Sequence, residues 1–132
     1  MRIRVCLIAG ILLLASCHIG AAGRDLAVAR GPGGASVIVE TLTTSYQGEL
    51  IAVQDSGVVL SRGKLFFVGF PSISEVRADG LGADYRISHA ELNDPAKVQR
   101  LRLVSHFPQG MTPGIQRALL AQTGQESVET VR

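Results

Sequence analysis

Tryptophan is absent from the 132 residues, and Phe66, Phe67, Phe70, Phe107, Tyr46 and Tyr85 are the only aromatic side chains. A core without large rings must be assembled from Val, Leu and Ile, which favours a small β or mixed fold over a large enzyme. Cysteine is equally scarce, with Cys6 and Cys17 alone. The first long apolar run, Val5 to Ala15, has 11 residues, short of the roughly 20 a helix needs to cross a bilayer. A surplus of one charge is missing too. The formal charge is +2, but Arg2 and Arg4 precede that apolar run. Without them, 11 basic side chains face 11 acidic ones. A neutral mature chain has no electrostatic reason to seek a polyanion, so nucleic acid is not an expected partner.

What the N-terminus does contain is a leader. Met1-Arg-Ile-Arg4 is a short positive segment and Val5 to Ala15 its apolar continuation, the pattern of an export signal. Two cleavage sites compete. Small residues at −3 and −1 allow a cut before Gly23 or before Arg24, which would discard Cys17 with the leader. Alternatively, Leu14-Ala15-Ser16-Cys17 resembles the lipobox of bacterial lipoproteins, with Leu at −3, two small residues and then the cysteine. That resemblance implies a signal peptide over 1–16, and Cys17 as the lipidated first residue, diacylated on sulfur and acylated on its amino group. Because Cys6 lies inside the leader, the mature chain has Cys17 alone and can form no internal disulfide. Lipidation would also remove an otherwise free exported thiol. Two or three acyl chains, at about 0.8 kcal/mol per buried methylene, hold a protein on its membrane. The resemblance further implies, from His18 rather than Asp at +2, the outer membrane where the organism has one. The expected location is the cell envelope, with the membrane as partner through the N-terminal lipid and an envelope protein as a second partner.

Beyond the anchor the chain divides by composition. Residues 17–34, ending in Gly31-Pro-Gly-Gly34, are rich in Gly and Ala and read as a flexible tether. A phosphate-cradling loop there would need a preceding strand, a following helix and a Lys-Ser/Thr pair, and none is present. Residues 35–80 alternate short β-branched segments with turn residues. Strands are predicted at Val37–Leu42, Gly48–Gln54, Val58–Ser61, Lys64–Phe70 and Ile73–Ala78, with tight turns at Asp55-Ser-Gly57 and Arg62-Gly63. A Gly opening a long second strand, the Asp-Ser-Gly hairpin and a closing Ile-x-x-Val resemble the Sm-like and SH3-like small barrels, which implies a closed five-stranded antiparallel barrel. Residues 81–93 read as a connection and 94–124 as a helical pair. Asp94-Pro95 and Thr112-Pro113 supply an N-cap followed by proline at N1, and Gly124 supplies a C-terminal stop. Leu101 and Leu103 also suit a strand by alternation, but the cap and the length favour helix. The two helices are expected to form a hairpin packed on the barrel, with 125–132 a polar, frayed tail. The fold class is therefore α+β.

Candidate chemistry is thin. His89, with Glu91 two residues on, and His106 lack the three or four ligands zinc requires, so no metal and no cofactor is expected. The Ser88-His89 and Ser105-His106 pairs are sequence neighbours, which rarely point at each other, and no Gly-x-Ser-x-Gly elbow occurs. His106-Phe-Pro-Gln-Gly-Met111 places two large apolar residues and a proline in one connection. It reads first as a helix–helix turn whose Phe107 and Met111 plug the core, and second as an exposed recognition edge. The expectation is a non-enzymatic binding or assembly protein, with no catalytic residue assigned. The alternative is a small exported enzyme or ligand-binding domain with a pocket between barrel and helices. Glu49, His89, His106 and Phe107 are the candidate contact residues.

Overall fold

The protein was examined as a computed structural model that describes residues 33–78 and 85–132. Seven strands form one sheet: β1 (Ser36–Thr41), β2 (Ser45–Gln54), β3 (Gly57–Ser61), β4 (Leu65–Gly69), β5 (Ile73–Ala78), β6 (Arg86–Ser88) and β7 (Glu129–Val131). Two α-helices, α1 (Pro95–Leu103) and α2 (Pro113–Thr123), lie between β6 and β7. Across the sheet the order is β6-β5-β1-β2-β3-β4-β7, antiparallel except for the parallel β4–β7 pair. The class is α+β as expected, but the sheet is open and seven-stranded rather than a closed five-stranded barrel. The sequence-local signals of the five central strands are correct. The difference comes from Arg86–Ser88 and Glu129–Val131, which pair with β5 and β4 and occupy the two edges. Three-residue edge strands leave little unpaired backbone for another chain to template on.

Strand β2 holds the sheet together because it is long enough to serve two neighbourhoods. Its first half pairs with β1, from Glu40↔Ser45 to Ser36↔Glu49, and its second half with β3, from Glu49↔Ser61 to Gln54↔Gly57. Glu49 stands at the junction. Just beyond it the register shifts between Leu50 and Ala52, leaving Ile51 unopposed. Such a bulge bends a strand and turns two successive side chains to one side. Leu50 and Val53 accordingly face one core, Ile51 and Ala52 the other. Gly48 sits immediately before the bend, where an added Cβ would lie 2.6 Å from the Ser61 carbonyl oxygen. The glycine is therefore required by close approach of β3.

Strand alternation separates two cores. Val37, Val39, Leu50, Leu60, Val68, Val76 and Ile87 belong to one, with Leu101 of α1 sealing it. Ile51, Ala52, Val59 and Leu65 form the other, capped by Leu120 of α2 with Leu119 alongside. The helices thus lie on opposite sides of the sheet, and the predicted helix hairpin does not form. Their ends are as read: Asp94 accepts from the Ala96 amide at 2.9 Å, Thr112 from the Ile115 amide at 3.2 Å, and Gly124 adopts φ 66°. Leu101 and Leu103 are helical.

The connection between the helices must cross from one side of the sheet to the other, and it does so along the edge of β2 that β1 leaves free. The His106 and Phe107 amides donate to the Leu50 and Ile51 carbonyls, each at 2.9 Å, and Arg102 Nε donates to the Val53 carbonyl at 3.3 Å. These bonds satisfy backbone groups that the end of β1 would otherwise leave unpaired. Phe107 and Met111 then pack into the α2-side core. On the far side of the molecule, residues 125–132 are also held. Gln125 accepts from the Leu65 amide at 2.6 Å and donates to the Leu65 carbonyl at 3.0 Å, steering the chain into β7.

Candidate functional site

The bend in β2 is also where ionisable groups meet. Glu49 Oε1 accepts from the Gly34 amide at 2.7 Å and lies 2.7 Å from His106 Nδ1. Three segments far apart in the chain are joined by one carboxylate oxygen: the start of the domain, the middle of β2 and the inter-helix connection. An ionised carboxylate only accepts, so the proton of this bond belongs on Nδ1 of the imidazole. His106 Nε2 has no protein partner among the described residues and reaches solvent. The ring is further held by stacking on Phe107, centroid to centroid 4.4 Å. Side-chain exposures of 32% for His106 and 37% for Glu49 place the pair at the surface.

Gly34 completes this junction sterically. A Cβ there would overlap the Leu50 carbonyl oxygen and the His106 amide nitrogen. The neighbouring Ala35 donates to the Val104 carbonyl and accepts from the Leu50 amide, both at 2.8 Å. Over Glu49 opens a shallow groove of about 570 Å³, lined by Gly33, Ser36, Gln47, Gly48 and Arg62 among others. It lies at the bend of β2 rather than between sheet and helices.

The other candidates are placed separately. His89 Nδ1 bonds the Ile73 carbonyl at 2.7 Å and takes no part in the Glu49 site. Glu91 accepts from the Ser88 amide at 2.9 Å and the Ser88 hydroxyl at 3.0 Å, with Lys97 Nζ at 3.3 Å. Those donors, the Ser88 amide foremost, hold its carboxyl below the usual carboxylate range. Ser105 is buried and donates to the Arg102 carbonyl at 2.7 Å, so it is not an activated nucleophile. Phe107 is a packing and stacking residue. Burial raises the Tyr85 phenol, with the Arg100 charge opposing the shift. Cys17 and residues 18–32 of the expected tether lie outside the described residues, whereas Gly34 at its end is held by Glu49 rather than free. Among the described residues, no three His, Cys, Asp or Glu side chains converge as metal ligands.

A second ordered surface was not legible in the sequence. On the part of the α2 side that the helix itself does not cover, β6, β5 and β1 carry Arg86, Glu75, Arg77 and Glu40. Directly opposite partners are alike in charge, Arg77 with Arg86 and Glu40 with Glu75, which alone would be destabilising. The side chains resolve this by pairing off the direct line. Arg77 pairs with Glu40 and, at 3.4 Å, with Glu75, and Arg86 approaches Glu75 at 4.0 Å. Arg77 Nε is enclosed and lacks a well-formed hydrogen bond, so the Glu75 contact is best taken as electrostatic. Beside this network Ser36, Ser45 and Gln47 are exposed.

No known protein family, curated protein or solved structure matches the chain.

Proposed function

We propose that the protein is lipid-anchored to the cell envelope through Cys17 and that its folded part binds or assembles with another envelope component. The observation that carries the binding role is the half-covered sheet. Helix α2 packs over Ala52, Val59 and Leu65, while the same side of β6, β5, β1 and the start of β2 presents paired charges, hydroxyls and Gln47. Strand pairing holds these groups in fixed positions, which suits recognition of a polar partner surface. The envelope location rests on Leu14-Ala-Ser-Cys17. No helix among the described residues is long and apolar enough to cross a membrane, and in this reading the lipid provides the attachment.

Intact-mass analysis of the membrane-fraction protein tests the anchor. The expected species begins at Cys17 and carries diacylglycerol and acyl mass; an unmodified chain beginning at Gly23 or Arg24 refutes it. For the binding role, a photo-crosslinker at Gln47 should capture an envelope component that one at Arg117, on α2, does not. Equal capture, or none, removes the argument from the open face.

The contact between Glu49 and His106 favours a second reading, a small exported hydrolase or ligand-binding domain. A carboxylate that orients Nδ1 and leaves Nε2 facing solvent is how a histidine is held for proton transfer. Ser36 and Ser61, opposite Glu49 in the β1–β2 and β2–β3 registers, are hydroxyls on the two neighbouring strands. Turnover of short acyl nitrophenyl esters that His106→Ala abolishes would support it, and a wild-type rate equal to buffer would end it.

A further inference from the structure

We infer that the turn at Arg62-Gly63-Lys64 is a docking surface for an anionic lipid bilayer, set beside the point where the anchored segment enters the fold; the inference rests on the lipid-anchor reading. Two independent observations converge. The first is the route of the chain. Gly33 lines the same groove as Arg62, and Gly34 and Ala35 are tied down by Glu49, Leu50 and Val104. The domain therefore has a defined side on which the segment leading back to Cys17 departs. The second is charge. Arg62 and Lys64 are both exposed, on a turn closed by the Arg62 amide donating to the Lys64 carbonyl at 3.0 Å.

Neither cation belongs to an ion pair among the described residues; Arg100, Arg117 and Arg132 share that state, but Arg62 and Lys64 stand two residues apart on one turn, whereas Arg77, Arg86, Lys97 and Arg102 are paired with carboxylates. Glu49, the acidic group of the groove, is occupied by Gly34 and His106. Glu129 is in register with Phe66, whose ring packs in the α1-side core, so its side chain shares that α1 side of the sheet, away from the face that Glu49 occupies. Glu126 contributes one opposing charge near this end. The sequence adds Arg24 and Arg30 to the departing segment, with Asp25 between them. By contrast Leu42, Thr43 and Thr44, the tip of the β1–β2 hairpin, are uncharged and lie a strand's length away, roughly 20 Å. Because surface potential decays within about 10 Å, only one of these two ends can respond to an anionic surface at a time. The end holding Arg62 and Lys64 is the one the anchor draws close.

The test uses the mature chain from residue 17 with Cys17→Ser, so that no lipid contributes, co-sedimented with vesicles of phosphatidylglycerol and phosphatidylcholine or of phosphatidylcholine alone. The wild-type surface should partition onto the anionic vesicles, lose binding at high salt and ignore neutral ones. The double variant Arg62→Gln, Lys64→Gln should bind roughly 25-fold more weakly, at roughly fivefold per cation. The pair Arg117→Gln, Arg132→Gln, which removes the same charge elsewhere, should change binding far less. Equal losses in the two double variants, or no preference for anionic vesicles, would overturn the inference. A failed inference with lipid found on Cys17 by mass leaves the anchor intact, and the converse result separates the two in the other direction.

Discussion

The two sides of the sheet are built from the same aliphatic residues but differ in how far their cores extend. On the α1 side, side chains from β1 through β6 meet in one continuous cluster, sealed by Leu92 and Leu101. On the α2 side the buried set is Ile51, Ala52, Val59, Leu65 and Leu120, with Phe67, Phe107 and Met111 around it. The remainder of that side is polar and open. The first side carries the fold; the second is only partly covered. One bend in β2 produces both, because it lets a single strand belong to two differently covered halves of the sheet.

Core truncation should test this division most strongly. Leu50→Ala removes a fully buried side chain from the continuous cluster and should cost about 2–5 kcal/mol in denaturant unfolding. Leu120→Ala, at the rim of the smaller core, should cost less; equal losses would mean that the smaller core contributes as much to stability as the continuous one. Next in size is Gly34→Ala. An added methyl must displace Leu50 or His106 backbone, for a loss of about 1–3 kcal/mol, whereas a tether glycine would tolerate alanine with no measurable change. The smallest effect concerns pH at the half-exposed Glu91. Its carboxyl is held low in the folded state, so its contribution is present above the ordinary carboxylate range and fades as pH falls through the lowered value. Glu91→Gln should flatten the acid side of the stability profile relative to wild type, and an unchanged profile would show that Ser88 and Lys97 do not favour the ionised form.

Local chemistry was readable where it acts over a few residues. Asp94-Pro95 and Thr112-Pro113 begin helices because side-chain oxygens satisfy first-turn amides and proline needs no amide partner there. Tight turns at Asp55-Ser56 and Arg62-Gly63 separate strands, as their residues allow. The dual character of the His106–Met111 connection was also partly visible, and Phe107 and Met111 do pack inward. Hidden from the sequence were Ile51 as a bulge, since an apolar run of Leu50 to Val53 looks the same with or without a register shift. Arg86–Ser88 and Glu129–Val131 were equally hidden. Three residues are too few for a periodic signal, and both become strands only because β5 and β4 offer them an edge. At the candidate site, Glu49 and His106 could be nominated singly as ionisable residues near turns or breaks in pattern. Their partnership, 57 residues apart, could not.

The sequence by itself determined most strand segments and both helix starts, because propensity and capping are local properties. The tertiary structure alone decided that the helices take opposite sides, that the sheet stays open, that Gly34 sits in a tightly packed junction, and that Glu49 meets His106. Those outcomes depend on which backbone edges remain unpaired and which apolar faces remain uncovered once β2 bends, and both are settled only when distant segments compete for the same space.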